Sequence, residues 1–462
     1  MYRHEGGVLR WVAMAALGLA AAGLAGCGGG SVGGSSSSGS SSSSSSSSSQ
    51  QVIASPAANV ATMVVDCGPT VVCESNSPAV DTAYVTVTIC APGSATSCQT
   101  FDHIQVDTQS FGLRILSSAT DTTGTPLNTA LYPALIETQS NEPLAECAVF
   151  ADGYSWGPVV SVDVQVSGES APSVPTQVIE DPSDPYATVP SDCSQTAGSE
   201  GTNYEEDTVQ TFGANGIIGV GVFVQDCGDI CTNNGTDNGI GGSSGVFTGY
   251  YICTSPSSCA DSYVADNQQV SNPVAYFPTD YNGVIVELPS VPAAGEATVT
   301  GALVFGIGTE GNNGLGSAQV FQADAEYGTV NTDFGSQSLP GSFLDSGSNG
   351  FYFDDSSITQ CTGQEPAGFY CPSSTVNLSA TISSGSGGSG VSASVDFSVA
   401  NAEDLSGAAF NDLAGPITPG LTNSSPSTGI FDWGLPFFFG RNVFDAIQGF
   451  NTPAGEGPYY AF

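Results

Sequence analysis

The apolar residues of this chain fall in short alternating runs. Ala83-Tyr-Val-Thr-Val-Thr-Ile89, Phe101-Asp-His-Ile-Gln-Val106, Pro158-Val-Val-Ser-Val-Asp-Val-Gln-Val166 and Gly301-Ala-Leu-Val-Phe305 each alternate apolar and polar positions between turn-forming residues. A period of two sends successive side chains to opposite faces, so these runs predict strands joined by hairpin-type connections. Helical spacing is scarce, and only Asp404 to Leu413 and Val443 to Gln448 read as helices, both short. Residues 28 to about 52 carry no apolar period. They are mostly Gly and Ser, with an unbroken run from Ser40 to Ser49, and such a tract has no apolar surface to bury.

Composition narrows the reading to a mostly β protein, because Val, Thr, Gly and Ser are plentiful and good helix formers other than Ala are few. The 462 residues suffice for one large or two medium domains. There are 44 acidic residues against four basic ones, and all four are arginine. Without lysine, Schiff-base, pyridoxal-phosphate and P-loop chemistry are excluded. A net charge of −40 repels phosphate and excludes nucleic acid as a partner.

Arg3 and Arg10 precede or flank an apolar stretch, Trp11 to Leu24, that is too short to span a bilayer. Leu24-Ala25-Gly26-Cys27 follows and resembles the bacterial lipobox. The resemblance implies a signal peptide over 1–26, lipidation of Cys27, and a Gly/Ser tether over 27–52. Gly28 after the cysteine implies sorting to the outer membrane, with the acyl chains as the only membrane contact. The exported chain then keeps two cations, Arg114 and Arg441, and one histidine, His103. That leaves little material for a Ser-His-Asp triad, a Cys-His pair or a histidine-rich metal site. Of the 13 cysteines, those other than Cys27 are even in number, which in an exported chain reads as disulfides. Local spacing pairs 67–73, 90–98, 227–231, 253–259 and 361–371, leaving 147–193, although sequence alone does not fix connectivity.

The chain repeats itself. Val106-Asp107-Thr108-Gln109-Ser110-Phe111-Gly112-Leu113 aligns with Leu344-Asp345-Ser346-Gly347-Ser348-Asn349-Gly350-Phe351, and roughly 100 residues after each comes an apolar pair and a glycine. These triplets read as Ile217-Ile218-Gly219 and Phe438-Phe439-Gly440. The doubled pattern resembles the pepsin-like aspartic peptidases over most of residues 80–462, and an uncharacterised bacterial family of exported proteins with the same two aspartates. The resemblance implies a bilobal, disulfide-stapled double β-barrel with a few short helices, its lobes spanning 53–289 and 290–462. It implies a catalytic pair, Asp107 and Asp345, that hydrolyses peptide bonds at acid pH through an activated water. Thr108 and Ser346 would bond across the lobe interface. Ser110 and Ser348 would donate to the outer carboxylate oxygens, and the N–H groups of Gln109 and Gly347 to the inner ones. The flap would carry Phe150 in place of the family's tyrosine, with Tyr154 or Trp156 replacing the lost hydroxyl. A monomer acting on a peptide or protein is implied, with no cofactor and no metal.

Two carboxyl groups within hydrogen-bond reach cannot both ionise cheaply, so one serves as base and the other as acid. This chemistry needs no histidine, which suits the composition. Gln109 departs from the family's glycine, however, and the alternative is an inactive peptidase-like surface or binding lipoprotein. Arg114, which stands where the family has an aromatic, reads with Arg441 as a buried structural cation paired with carboxylates. His103 reads as a packing residue. The acidic loop with Asp226, Asp229, Asn233, Asp237 and Asn238 matches no EF-hand spacing.

Overall fold

Alternating burial along the strands follows the sequence pattern. In Ala83–Cys90 and Gly153–Val166, for example, Val85, Val87, Ile89, Val160, Val162 and Val164 all point into one core. The computed structural model describes residues 53–462 except 139, 151–152, 184, 197–203, 233–247, 256, 363–365, 367, 386–387, 389 and 418–428. The signal-peptide and tether readings, with Cys27, lie outside the described residues.

The protein is mostly β and bilobal, built on two barrel sheets. In the first, Gly153–Val166, Glu169–Ile179, Phe111–Leu116, Gly216–Val220, Cys98–Asp107 and Ala83–Cys90 pair in that order. Ala83–Cys90 then pairs back onto Gly153–Val166 and closes a six-stranded barrel, which leaves no free edge around the ring. The second sheet runs Ser392–Val399, Val376–Ser383, Val330–Phe334, Gln337–Leu344, Asp432–Trp433, Phe351–Tyr352 and Ala414–Gly415, and is nearly closed. Between them, Val60–Val65, Val299–Phe305, Gly283–Leu288, Arg441–Ala446 and Tyr459–Ala461 form consecutive antiparallel pairs. This sheet takes strands from both ends of the chain. The 289/290 boundary falls in the connection between two of its neighbours, Gly283–Leu288 and Val299–Phe305.

The second barrel is filled with aromatic rings. Trp433 stacks on Phe431 at 4.1 Å between centroids and meets Phe351, Phe397 and Phe437 edge-on. Its Nε1 donates to Thr332 Oγ1 at 2.9 Å, so burying the indole leaves no donor unmet.

All six disulfides form in the pairing read from local spacing. Cys90–Cys98 closes the hairpin that carries Asp107, and Cys147–Cys193 ties the next hairpin to the short helix Ser191–Thr196.

The helix expectations need correction. Asp404 to Leu413 holds only the end of a 3-10 turn, Ala402–Asp404, and Val443–Ala446 belongs to the strand Arg441–Ala446. That run is buried because it sits between two strand neighbours in the shared sheet, and a short run buried on every side carries no period to tell helix from strand. The described α-helices are Thr70–Cys73, Ser191–Thr196 and Val209–Phe212. Trp433→Ala is expected to lower unfolding free energy by about 3–5 kcal/mol, read from denaturant midpoints at unchanged m-value.

Candidate active site

Each aspartate ends a strand that is gripped on two sides. Cys98–Asp107 lies parallel to Gly216–Val220, with Asp107 opposite Gly219, and Phe111–Leu116 returns antiparallel to that same strand. In the other half, Gln337–Leu344 lies parallel to Asp432–Trp433, Asp345 N–H donates to Trp433 O at 3.0 Å, and Phe351–Tyr352 returns antiparallel. The two halves therefore share one local topology. The register shows that the second apolar-apolar-Gly reading was displaced. Asp432-Trp433-Gly434 occupies the place of Ile217-Ile218-Gly219, whereas Phe438 and Phe439 precede the shared-sheet strand. An aspartate stands where the repeat asked for an apolar residue, which is why the triplet was misplaced. Gly434 is needed there, because a Cβ would run into the carbonyls of Gly350 and Ser348.

The halves meet in a reciprocal crossing. Thr108 Oγ1 donates to Leu344 O at 2.9 Å and accepts from Ser346 N–H at 2.9 Å. Ser346 Oγ donates to Val106 O at 2.8 Å and accepts from Thr108 N–H at 3.2 Å. Gln105 Nε2 adds a bond to Gly347 O at 2.9 Å. The crossing brings Asp107 and Asp345 together. A Cβ at Gly347 would stand 2.6 Å from Asp107 Cγ and 3.0 Å from Asp345 Oδ1, so only glycine lets the two carboxyl groups share this space. Gln109 N–H donates to Asp107 Oδ1 at 2.7 Å, Gly347 N–H to Asp345 Oδ1 at 2.8 Å, and Ser348 Oγ to Asp345 Oδ2 at 2.8 Å. The Ser110 hydroxyl lies near enough to favour the Asp107 carboxylate but falls short of hydrogen-bond geometry. The Gln109 side chain turns away to Tyr460, donating to its hydroxyl at 2.9 Å.

Both carboxyl groups are fully buried, and burial raises both titrations. For Asp107 the Ser110 hydroxyl, the Gln109 N–H and Asp345 pull back down. For Asp345 the charges of Asp107 and Asp432 push further up, well above the usual range. Asp107 therefore carries the charge and Asp345 the proton. Two carboxyl groups that the sequence reading did not single out complete the setting. Asp432 and Asp445 are also fully buried, and none of their oxygens has a hydrogen-bond partner among the described residues. Burial first, with the Asp107 charge, raises Asp445 well above the usual range; Asp432 rises as far, against a lowering from Ser348. The available signal was an acidic residue inside an otherwise apolar segment.

The remaining expected residues are placed as follows. Phe150 packs into the main core and meets Phe212 edge-on at 6.2 Å. Tyr154 and Trp156 sit in a separate cluster with Cys147, Cys193, Tyr186 and Tyr251, where Trp156 Nε1 donates to Tyr186 O at 2.8 Å. These two rings are committed to that cluster and are not brought to the carboxyl pair. Residues 151–152 of the expected flap lie outside the described residues. Arg114 is buried on Glu146 and Asp226, at 2.5 and 2.9 Å. Asp226 is thus a structural partner, also accepting from Tyr250 Oη at 2.6 Å; Asn233, Asp237 and Asn238 of that loop lie outside the described residues. Arg441 donates to Phe437 O at 2.5 Å and lies over that residue's ring. His103 packs on Tyr84 and lies between Asp66 and Asp102; burial opposes its charge, yet the two carboxylates raise it to about 9.

Residues 55–462 match the family described as "Protein of unknown function (DUF3443)", and the chain belongs to that family. No curated protein matches the chain.

The titrations fix the sign of the pH dependence of stability. Besides the four central carboxyls, burial raises Asp81, Glu205 to about 7 and Asp412 to about 6. A carboxyl raised on folding contributes stability that is full below its unfolded value and lost as pH rises through its folded value. His103 acts in the same direction, losing its contribution as pH rises through about 9. Asp102, lowered by its His103 bond, and Asp66, lowered by His103 against its own burial, lose theirs only as pH falls through their folded values. The melting temperature is therefore expected to rise on going from about pH 8 to about pH 4.5. A fall over that window, read by circular dichroism, contradicts the assignment.

Proposed function

We propose that the protein is a lipid-anchored envelope protein that hydrolyses peptide bonds at acid pH by the aspartic mechanism, as its resemblance to the pepsin-like peptidases implies. The observation that carries this reading is the reciprocal Thr108–Ser346 crossing, which holds the Asp107 and Asp345 carboxyl groups side by side, burial raising both and the Asp107 charge raising Asp345 further. Asp107 takes a proton from a water molecule lying between the carboxyls. The resulting hydroxide attacks the scissile carbonyl carbon, while Asp345 gives its proton to the carbonyl oxygen. The tetrahedral intermediate collapses as Asp107 passes its proton to the leaving nitrogen and Asp345 takes one back from a hydroxyl of the intermediate, with no covalent enzyme intermediate. The peptide supplies the carbonyl and the carboxyl pair supplies the acid and base, so the reaction draws on no cofactor.

A second reading is favoured by one specific observation. Both carboxyl groups are fully buried, and Gln109, in the place of the motif glycine, is bonded to Tyr460 beside them. A peptide reaches the pair only if the buried seam opens, and a permanently closed pair would leave a peptidase-like binding module. Acid cleavage of an unfolded protein substrate separates the two. The peptidase reading expects cleavage by the wild type and a loss of at least about 1,000-fold in kcat/KM in Asp107→Asn and in Asp345→Asn, with melting temperatures within a few degrees of wild type. Cleavage that survives both substitutions, or a wild type without cleavage, overturns it.

The envelope assignment rests on the resemblance of Leu24-Ala25-Gly26-Cys27 to the lipobox, and the outer-membrane sorting on Gly28, rather than Asp, after the cysteine. Lipidation of Cys27 is expected to place the protein in the outer-membrane fraction as a monomer. Cys27→Ser should abolish incorporation of labelled fatty acid and release the protein to the soluble fraction; unchanged fractionation contradicts the anchor.

A further inference from the structure

Three acceptor oxygens lie buried without a donor at a joint between the halves other than the Thr108–Ser346 crossing. Asp81 stands two residues before the first-barrel strand Ala83–Cys90, and Asp412 two residues before Ala414–Gly415 of the second sheet. Asp81 N–H donates to Ala408 O at 2.8 Å and Phe410 N–H to Asp81 Oδ1 at 2.7 Å, which lays the aspartate along residues 408–410. The next residues are fixed by Ala400 N–H on Asp412 O at 2.9 Å and by Asn411 Nδ2 on Val291 O at 3.2 Å. These bonds leave over Asp81 Oδ2, Asn411 Oδ1 and Asp412 Oδ1, none with a hydrogen-bond partner among the described residues. Asp81 and Asp412 are 0% and 1% exposed, and the Asp412 charge acts on Asp81. Turning the Asn411 amide over gives no relief, because its Oδ1 would then face the carbonyl of Val291.

A buried acceptor without a donor is costly, most of all when it carries charge, so three at one joint call for a common partner. The cations of the described residues are engaged elsewhere. Arg114 is held by Glu146 and Asp226, Arg441 lies over Phe437, and His103 lies between Asp66 and Asp102. The partner must therefore come from outside the chain. A set made only of oxygens, two of them carboxylate, suits a hard divalent cation, whose charge the two carboxylates balance. Among the described residues no three acidic, histidine or cysteine side chains gather as a ligand set, so the Asn411 amide and water complete this one. Such a mixed, irregular set fits calcium better than magnesium, which demands near-octahedral geometry. We propose that Asp81, Asn411 and Asp412 form a calcium site that ties the two halves together, a metal that the peptidase resemblance does not imply. The site shares no residue with the carboxyl pair and stands independently of the peptidase reading.

The test uses the full chain, stripped with EDTA and melted at about pH 7.5 with and without about 2 mM CaCl2. The wild type is expected to melt about 5 °C higher with calcium, and titration calorimetry to show one site per chain tighter than the diffuse binding expected of so acidic a surface. Asp81→Asn and Asp412→Asn should each weaken that site at least about tenfold and remove most of the rise, because a ligand charge is lost. Asparagine keeps the shape and the acceptor oxygen, and it tolerates the φ of 45° at position 81. Asp404→Asn, at an exposed carboxyl on the neighbouring turn, should keep both the site and the rise. A wild type indifferent to calcium overturns the proposal, and so does a rise as large with MgCl2 or one that survives in Asp81→Asn and Asp412→Asn. A rise lost equally in Asp404→Asn also overturns it, since it then reports surface charge alone. Should neither site variant fold, an anomalous difference map from wild-type crystals soaked in CaCl2 decides: a peak between residues 81 and 412 supports the site, and no peak there overturns it.

Discussion

Two carboxyl groups placed side by side in a buried seam can coexist only if they share one negative charge, and the structure around residues 107 and 345 is organised by that constraint. Bringing them together requires a rigid crossing, which the paired hydroxyls of Thr108 and Ser346 supply through four hydrogen bonds between the halves. Each hydroxyl acts as donor and acceptor at once, so no buried polar atom of the crossing is left unmet. Gly347 gives the carboxyls room, and the asymmetry of donors decides which one is charged.

The rest of the fold serves to hold that crossing still. The closed first barrel and the aromatic second barrel present the two arms from opposite sides, and a sheet made from both ends of the chain joins them. The scarcity of cations matters here. Arg114 is spent on Glu146 and Asp226, and Arg441 lies over Phe437, so the central carboxyls find no positive partner in either residue. They are held instead by protons, which makes acid the condition that suits the stability of the fold.

Much of this was legible in the residues. Alternation of apolar and polar positions gave the strands, because a half-buried strand must alternate. The disulfides followed from spacing, since most join cysteines four to ten positions apart across a turn. The aspartate motifs were visible because the crossing demands a hydroxyl after each aspartate, a side-chain requirement written directly in sequence. What was not legible depended on contacts between distant segments. Val443 to Gln448 looked helical because its buried stretch, Val443 to Ile447, shows no period. The glycine partner of Asp345 was misplaced by six residues because Asp432 interrupts the apolar pattern. Tyr154 and Trp156 could not be kept from the flap reading, since the cluster that claims them, with Tyr186 and Tyr251, is assembled only in three dimensions.

The most direct test of a shared proton at the seam is neutron diffraction from crystals of the deuterated-solvent form held at about pH 5, between the ordinary carboxyl range and neutrality. One deuteron is expected at the Asp107–Asp345 pair, bonded to Asp345 and directed at Asp107. Two deuterons, none, or carboxyl groups separated beyond hydrogen-bond reach would contradict it.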